Sequence, residues 1–465
     1  MAVDSRADLE PRFFFTEPWD PIIVRRGDAL GLRALADQFA DALAPELSNR
    51  VYDGRWVTIL AWCLARSQQV FRASKGRSVA TRDEQRQRYA WLRPLELMWV
   101  ARTIVLAQDT KGRQLAGVRS VKRWIEGDKS SAHRFGMTVD QYCAYRQTGM
   151  YGGYRLAFRK WPDMTVQGDG WTPGKATNQL AKWLDAKLGA ARPPWQLHVG
   201  DGEDGGFPKP NKRSIGKEHE WWLRQWVFDT VGKSSELNTL PRRRNDYTIL
   251  PESELLRPLI FGDDKLGTQR KRVAVEVGKA SALDHPGVCE HLSRAFAGSP
   301  TFVLLPRFSR LADAGMEAMD LIARTLQNES SVKLADVAAL SDAVEICKKL
   351  WDSAKEWLKN AQIQIPHIDT AHLFASVIPN KDPFDCLRAL LHYHENHCGG
   401  LPWFVLRGGS VELRTPWRAG SSLYRFRLWP LCRLAVQCGI LVDMPIALRA
   451  GVEANENETA EADNE

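Results

Sequence analysis

Several features are missing from this 465-residue chain, and each absence narrows what it can be. None of its eight cysteines is paired at CxxC spacing, and most sit inside apolar runs. A disulfide framework is therefore not expected, and the thiols read as buried and free in a reducing compartment. No basic-then-apolar leader opens the sequence; "MAVDSRADLEPRFFF" is acidic early. The most apolar stretch, "LELMWVARTIVLA", is too short for a bilayer span and carries Glu96 and Arg102. The expectation is a cytoplasmic protein with no membrane partner. Neither a Walker A loop nor a GxSxG elbow occurs, and no Ser/His/Asp or Cys/His set stands out. Nothing nominates an enzyme or a cofactor. Internal repeats are also lacking.

What is present reads as globular protein. Hydrophobic residues make up 44% and charged residues 26%, and 18 tryptophans supply apolar area for a large core. The length calls for two or three domains. Net charge is +8, but the last fifteen residues, "GVEANENETAEADNE", hold six acids and no Lys or Arg. Setting those six aside from the 56 acidic residues leaves 50 against 64 basic ones, a body at +14. Such a body suits polyanionic partners, although charge alone does not say whether it clusters.

Apolar periodicity is mostly helical. Leu32, Leu35, Ala36, Phe39, Ala40 and Leu43 define one helix, and Trp56, Leu60, Cys63 and Val70 another. A basic connector, 72–88, precedes a buried helix with Pro94 expected at its first position. In "TVDQYCAYRQTGMYGGYRLAFRKWP", Thr138 and Gln141 form a capping box for a helix bearing Tyr142 and Tyr145. After Gly152 and Gly153, a second short helix carries Tyr154 and Phe158. Thr172-Pro173 caps a third, with Ala176, Leu180, Trp183, Leu184 and Leu188 on one face. Three short helices with tight turns match helix-turn-helix architecture.

The Gly/Pro-rich stretch 198–216 reads as a linker. Beyond it, "RRRNDYTILPE" and "KRVAVEVGK" suggest strands, the second alternating at Val273, Val275 and Val277. Helix resumes at 311–327. Val337, Leu340, Val344, Cys347, Trp351, Ala354 and Leu358 follow a heptad pattern, either a partner-binding seam or a long helix packed in its own domain. Asp382-Pro383 opens a further helix, "WFVLRGGSVEL" is a hairpin turning at Gly408-Gly409, and a helix runs from Pro430 to Gly439.

The expected fold is mainly α and multi-domain, with helix-turn-helix-like units and a small C-terminal α+β unit of winged-helix type. The expected partition is 1–30 extension, 31–197 helical domain, 198–216 linker, 217–365 mixed domain, 366–445 winged-helix-like unit and 446–465 disordered acidic tail.

Three clusters could carry chemistry. "HYHENHC" places His394 and Cys398 on one helical face, but a full zinc set is missing, so core or surface histidines are the better reading. Asp263, Asp264, Glu276 and Lys279 invite comparison with metal-dependent nucleases; two residues separate Glu276 from Lys279, which on a strand sends them to opposite faces. Basic residues recur beside aromatics. Arg119, Lys122, Arg123, Arg155, Arg159, Lys160, Arg242, Arg243 and Arg244 are the candidate nucleic-acid contacts, since such cations position phosphates. The alternative for any one cluster is a solvated basic face.

"WLRPLELMWVARTIVL", "FGMTVDQYCAYRQTGMYGGYRLAFRKWP" and "SLYRFRLWPLCRLAVQCGIL" resemble an uncharacterised group of helix-rich bacterial proteins encoded near mobile elements and phage-defence loci. The resemblance covers about half the chain. It implies a DNA-transacting or antiviral-defence setting, and no catalytic residues. The expectation is thus a non-catalytic DNA-binding component. A metal-dependent nuclease and a protein-interaction scaffold using the 332–360 helix are the alternatives.

Overall fold

The computed structural model describes residues 28–75, 89–107, 110–126, 149–188, 239–326, 329–359, 363–414, 417 and 425–449. These residues are mainly helical, with fifteen α-helices and one small sheet. They gather into two compact units, neither continuous in sequence. The larger is Ala40–Ala295 with Arg425–Glu465; the smaller is Met1–Phe39 with Phe296–Tyr424. The expected linker, 198–216, lies outside the described residues, as do the Thr138–Gln141 capping box and Tyr142 and Tyr145.

Helix α1 (Arg33–Leu43) runs across the chain boundary between the two units. In the larger unit, α2 (Gly54–Lys75) is buried on every side from Trp56 to Leu64. Its neighbour α3 (Tyr89–Ala107) starts five residues before Pro94, so that proline is inside the helix and not at its first position. Trp62 of α2 meets Trp99 of α3 edge-on at 5.9 Å. Helix α4 (Val118–Glu126) follows. Helix α5 (Met150–Lys160) takes in Gly152 and Gly153, expected as a turn before it; it buries Tyr154 and Phe158 as expected, and Tyr151 and Ala157 with them. Its amino end is capped from a distance: Glu96 on α3 accepts from the amides of Met150 at 3.2 Å and Tyr151 at 2.9 Å. A carboxylate suits the positive end of a helix, and Arg93, ion-paired with Glu96 in full burial, balances its charge.

Helix α6 (Lys175–Leu188) starts after the expected Thr172 cap, because Thr172 instead turns its hydroxyl to Asp169 at 2.5 Å. Its face of Ala176, Leu180, Leu184 and Leu188 is buried, and α6 lies along α2. Helices α7 (Ser253–Ile260), α8 (Lys265–Lys279) and α9 (His285–Ala295) follow.

Helix α8 corrects the strand expected at "KRVAVEVGK". Asp264 caps its start, accepting from Leu266 and Gly267 amides at 3.0 Å each. Gly267, Arg270, Val273, Ala274 and Val277 form the buried face, a three-to-four spacing that overrides the alternation of the valines. The other expected strand, "RRRNDYTILPE", is an irregular loop whose described ladder contact is one bridge between Arg243 and Arg113.

The smaller unit is built on α10 (Pro300–Thr325), which begins eleven residues earlier than expected, with Pro300 in its first turn. Strand β1 (Ser331–Lys333) and short α11 (Leu334–Ala338) precede α12 (Ala343–Leu358). The heptad segment is therefore two helices with a break. Its buried face is Ala343, Ile346, Cys347, Leu350, Ala354 and Trp357, rotated from the seam read in the sequence. Val344 is 59% exposed and Leu358 38%, while Cys347 is fully buried, so the seam is split between core and solvent. Helix α12 lies on α10, with Trp357 edge-on to Phe308 at 6.0 Å.

Helices α13 (Ile368–Ser376) and α14 (Pro383–His397) come next, the latter capped by Asp382 as expected. Strands β2 (Phe404–Arg407) and β3 (Ser410–Leu413) form the expected hairpin. Gly408 and Gly409 turn it with φ of 55° and 85°, a left-handed pair that glycine adopts without strain. The sheet order is β1-β3-β2, all antiparallel, with Val332 opposite Val411. The last helix, α15 (Leu428–Gln437), belongs to the larger unit, not to the hairpin's.

Candidate functional site

The larger unit holds a polar network centred on Asp53, at the start of α2. Its carboxylate accepts from the Arg55 amide at 3.1 Å, the Gln437 side chain at 3.2 Å and the Arg242 amide at 2.9 Å. Three neutral donors thus give both oxygens of a buried acid a partner. Gln437 on α15 also accepts from the Gly54 amide at 2.8 Å, fixing α15 to the head of α2. Tyr154 of α5 donates to Gln114 at 2.9 Å and lies 3.2 Å from the Asp53 amide. Burial, then the nearby Asp53 and Tyr52, push the Tyr154 phenol well above its usual range. Its proton stays on, as a donor requires.

Two residues on from Asp53, Arg55 forms an ion pair with Glu252 at 2.8 Å, both side chains fully buried. Thr58 donates to the same carboxylate at 3.1 Å. Burial raises the Glu252 carboxyl and lowers the Arg55 guanidinium, and their mutual attraction opposes both shifts. The Arg55 guanidinium also lies over the Trp183 ring at 5.4 Å.

Outward from this network is the loop 239–250. Arg242 reaches Asp246 at 3.3 Å and is largely covered. The Arg244 amide donates to Gly112 at 2.6 Å, and the Arg113 side chain donates to the Pro241 carbonyl. Arg433 of α15 is fully buried and donates to the carbonyls of Tyr52 and Arg243, at 2.6 Å each. Tyr52 and Trp429 meet at 63° with centroids 5.0 Å apart. The Arg244 guanidinium lies 4.7 Å from the Trp429 ring centre and 5.8 Å from that of Tyr52; Arg433 lies 5.2 Å from Tyr52 and 5.7 Å from Trp429. Stacking on indole and phenol faces stabilises guanidinium groups without neutralising them.

Among the described residues, Arg113, Arg242, Arg243, Arg244 and Arg433 lie in or against this loop with two acids, Asp53 and Asp246. Asp53 takes its hydrogen bonds from neutral donors, and Asp246 serves Arg242 and the Thr248 hydroxyl at 2.6 Å. Burial first, then repulsion from Arg243 and Arg242, lowers the Arg113 guanidinium from its usual range, with Asp53 opposing. Among the described residues the arrangement contains no nucleophile–base pair.

The other candidate contacts fall elsewhere on the larger unit. Arg119 and Lys122 are exposed on α4; the Arg123 side chain lies outside the described residues. On α5, Arg159 and Lys160 are exposed, but Arg155 is half-buried with its guanidinium 5.1 Å from the Trp171 ring centre. Arg159 also donates to the Gly168 carbonyl at 3.3 Å. The sequence therefore placed two of these three cations correctly in solvent and put Arg155 too far out.

Asp264 and Glu276 do not share a site. They sit at opposite ends of α8, about 18 Å apart by helical rise, and Glu276 is engaged by Lys279 at 2.8 Å and His291 at 3.3 Å. Among the described residues no group of His, Cys, Asp and Glu is placed to hold a metal ion. In the smaller unit, His394 is a buried structural tie. Its Nδ1 donates to the Ala29 carbonyl at 2.9 Å and its Nε2 accepts from the Trp403 amide at 3.0 Å. His397 donates to Tyr393 at 3.0 Å, and Cys398 donates to the Gly400 carbonyl at 3.3 Å.

Tyr52, Asp53, Arg113, Trp429 and Arg433 were not singled out by sequence reasoning. One signal was available. Arg55 in "GRWVTILAWCL" and Arg433 in "WPLCRLAVQ" are lone cations in apolar helices, which must be paired or stacked when buried. No protein-family model, no curated protein and no solved structure matches the chain. Among the described residues no helix is long and apolar enough to cross a membrane.

Proposed function

We propose that this chain is a non-catalytic nucleic-acid-associated protein whose contact surface lies on the larger unit. The observation that carries the reading is the excess, among the described residues, of guanidinium groups over carboxylates around the loop 239–250. Exposed Lys122, Arg159 and Lys160 supply further cations on α4 and α5. On this reading α5 and α6 are the described part of a helix-turn-helix-like unit. The hairpin β2–β3 after α14 is the winged-helix-like element, and the resemblance supplies the phage-defence or mobile-element setting.

Binding of this kind is driven by counterion release and weakens as salt rises. Fluorescence anisotropy with labelled duplex and single-stranded oligonucleotides, over a salt series, tests it. The triple variant Lys122→Ala, Arg159→Ala, Lys160→Ala is expected to flatten the salt slope by about three units if each cation meets one phosphate. A folded wild-type protein with no salt-dependent affinity for either oligonucleotide would overturn the reading.

A further inference from the structure

We propose that Cys347 and Cys386 are a reversible modification site, at which a peroxide oxidises the two thiols to a disulfide joining α12 to α14. Both cysteines belong to the smaller unit, and the inference is independent of the nucleic-acid reading.

Geometry carries it. Cys347 lies in the buried face of α12 and Cys386 in that of α14, and the two helices pack together. The Cys347 sulfur is 3.9 Å from the Pro383 carbonyl oxygen, at the first residue of α14. Cys386 follows one turn later on that helix. Helical side chains tilt toward the amino end, so the Cys386 side chain leans back over the turn that Cys347 touches. The two thiols interact directly, with Cys386 donating to the Cys347 sulfur. Both are free of other disulfides.

Thiol chemistry assigns the roles. Peroxides react with a thiolate and not with a thiol. The bond from Cys386 holds the Cys347 thiol below its usual range, with burial and Asp382 opposing. Cys386 is raised, first by the same bond and then by burial, and burial also raises Cys63, Cys432 and Cys438. Cys347 is therefore the attacking sulfur and Cys386 the resolving one. The Cys347 thiolate attacks one peroxide oxygen and the O–O bond breaks. This gives a sulfenic acid and a hydroxide that takes up the thiol proton as water. The Cys386 sulfur then attacks the sulfenic sulfur. The S–S bond forms, the S–O bond breaks, and a second water leaves with the Cys386 proton. Two electrons pass from the sulfurs to the peroxide, and a small dithiol returns them by exchange.

Neither sulfur is exposed, so a first turn must open to admit the peroxide. Cys347 is the fifth residue of α12, and Asp342 before that helix makes no side-chain cap. An uncapped amino end opens at lower cost than a helix middle. Val344 on α12 and Phe384 on α14, in the same first turns, are exposed, so these turns border solvent.

The test treats the folded full chain with hydrogen peroxide, quenches with an alkylating reagent and maps disulfides by mass spectrometry without reduction. Wild type and the control Cys398→Ala are expected to give a peptide pair joined through Cys347 and Cys386, which dithiothreitol separates. Cys386→Ala is expected to stop at a sulfenic acid on Cys347 that dimedone traps. Cys347→Ala is expected to leave Cys386 a thiol. In the wild type, Cys347 is expected to be consumed about tenfold faster than Cys63 or Cys432. In denaturant, with the helices lost, the preference for this pair is expected to vanish. Thiols that all survive peroxide in the folded chain, a disulfide through Cys398 or any other cysteine, or a Cys347 consumed no faster than Cys63, overturn the site. So does the same pairing preference in denaturant, since the fold would not be its cause. If an alanine variant fails to fold, the wild-type map decides.

Discussion

The two units bury charge very differently. In the smaller unit the buried polar side chains among the described residues are Ser309 and His394. Its core is aliphatic and aromatic, built on α10 and α12. The larger unit fully buries Arg55, Arg93, Arg102, Arg270 and Arg433, with Asp53, Glu96 and Glu252 among them. A buried ion pair is a poor route to stability, because desolvation offsets the Coulomb gain. What such groups do is fix register: Glu96 caps α5, Gln437 fixes α15 to α2, and Arg270 holds the Ile260 and Pro45 carbonyls at 2.6 Å and 3.0 Å. The polar core also continues outward into the loop 239–250, where cations outnumber acids among the described residues.

The largest expected effect breaks the polar core. Glu252→Ala leaves Arg55 buried and unpaired and is expected to cost about 3–5 kcal/mol in denaturant unfolding. The double variant Arg55→Met, Glu252→Leu is expected to recover most of that loss, since both charges are gone and the volume is kept. A double variant as unstable as Glu252→Ala would mean that the pair is needed for the fold and not merely for its own neutrality.

Next comes a contrast by pH. His285 in the larger unit is depressed to about 3, by burial first and then by Arg425. His394 in the smaller unit is also lowered, by burial, with its bond to Ala29 opposing. Both histidines are neutral in the fold and take a proton more readily when unfolded. Their contribution is therefore complete above the unfolded value of 6.5 and is lost as pH falls below it. For His285 the loss continues down to about 3, at up to about 1.4 kcal/mol per pH unit. His285→Phe, which keeps a ring against Phe426, is expected to flatten the acid limb of stability against pH in the larger unit, followed by hydrogen exchange. An unchanged limb would show that His285 is not the group responsible.

The smallest effect sharpens the reading of the smaller unit. Val344 is 59% exposed on α12, so Val344→Gln is expected to change stability by less than about 0.5 kcal/mol. Leu350→Ala, in the buried face of the same helix, is expected to cost about 2–5 kcal/mol. Similar costs for both would mean that the heptad seam, and not the observed face, is the packed one.

Local patterns gave the sequence much of its legibility. The inward face of α5, the Asp382 cap of α14 and the Gly408-Gly409 turn each depend on a few neighbouring residues, and each was readable. The three-to-four spacing of α8 was readable too, but the valine alternation masked it. In 332–360 the apolar positions fitted two faces, and only packing against α10 selected one. The position of Arg155 was out of reach because Trp171, its stacking partner, comes from another turn of chain.

The sequence by itself determined that this is a mainly helical chain with a basic body, buried thiols and no recognisable catalytic motif. Tertiary structure alone decided which cations share a site. Arg113, Arg244 and Arg433 are separated by more than a hundred residues at each step, and no one-dimensional spacing encodes their meeting. They meet because Gln437 of α15 fastens to the head of α2 and Arg433 holds the Tyr52 and Arg243 carbonyls, which carries the loop 239–250 onto Tyr52 and Trp429.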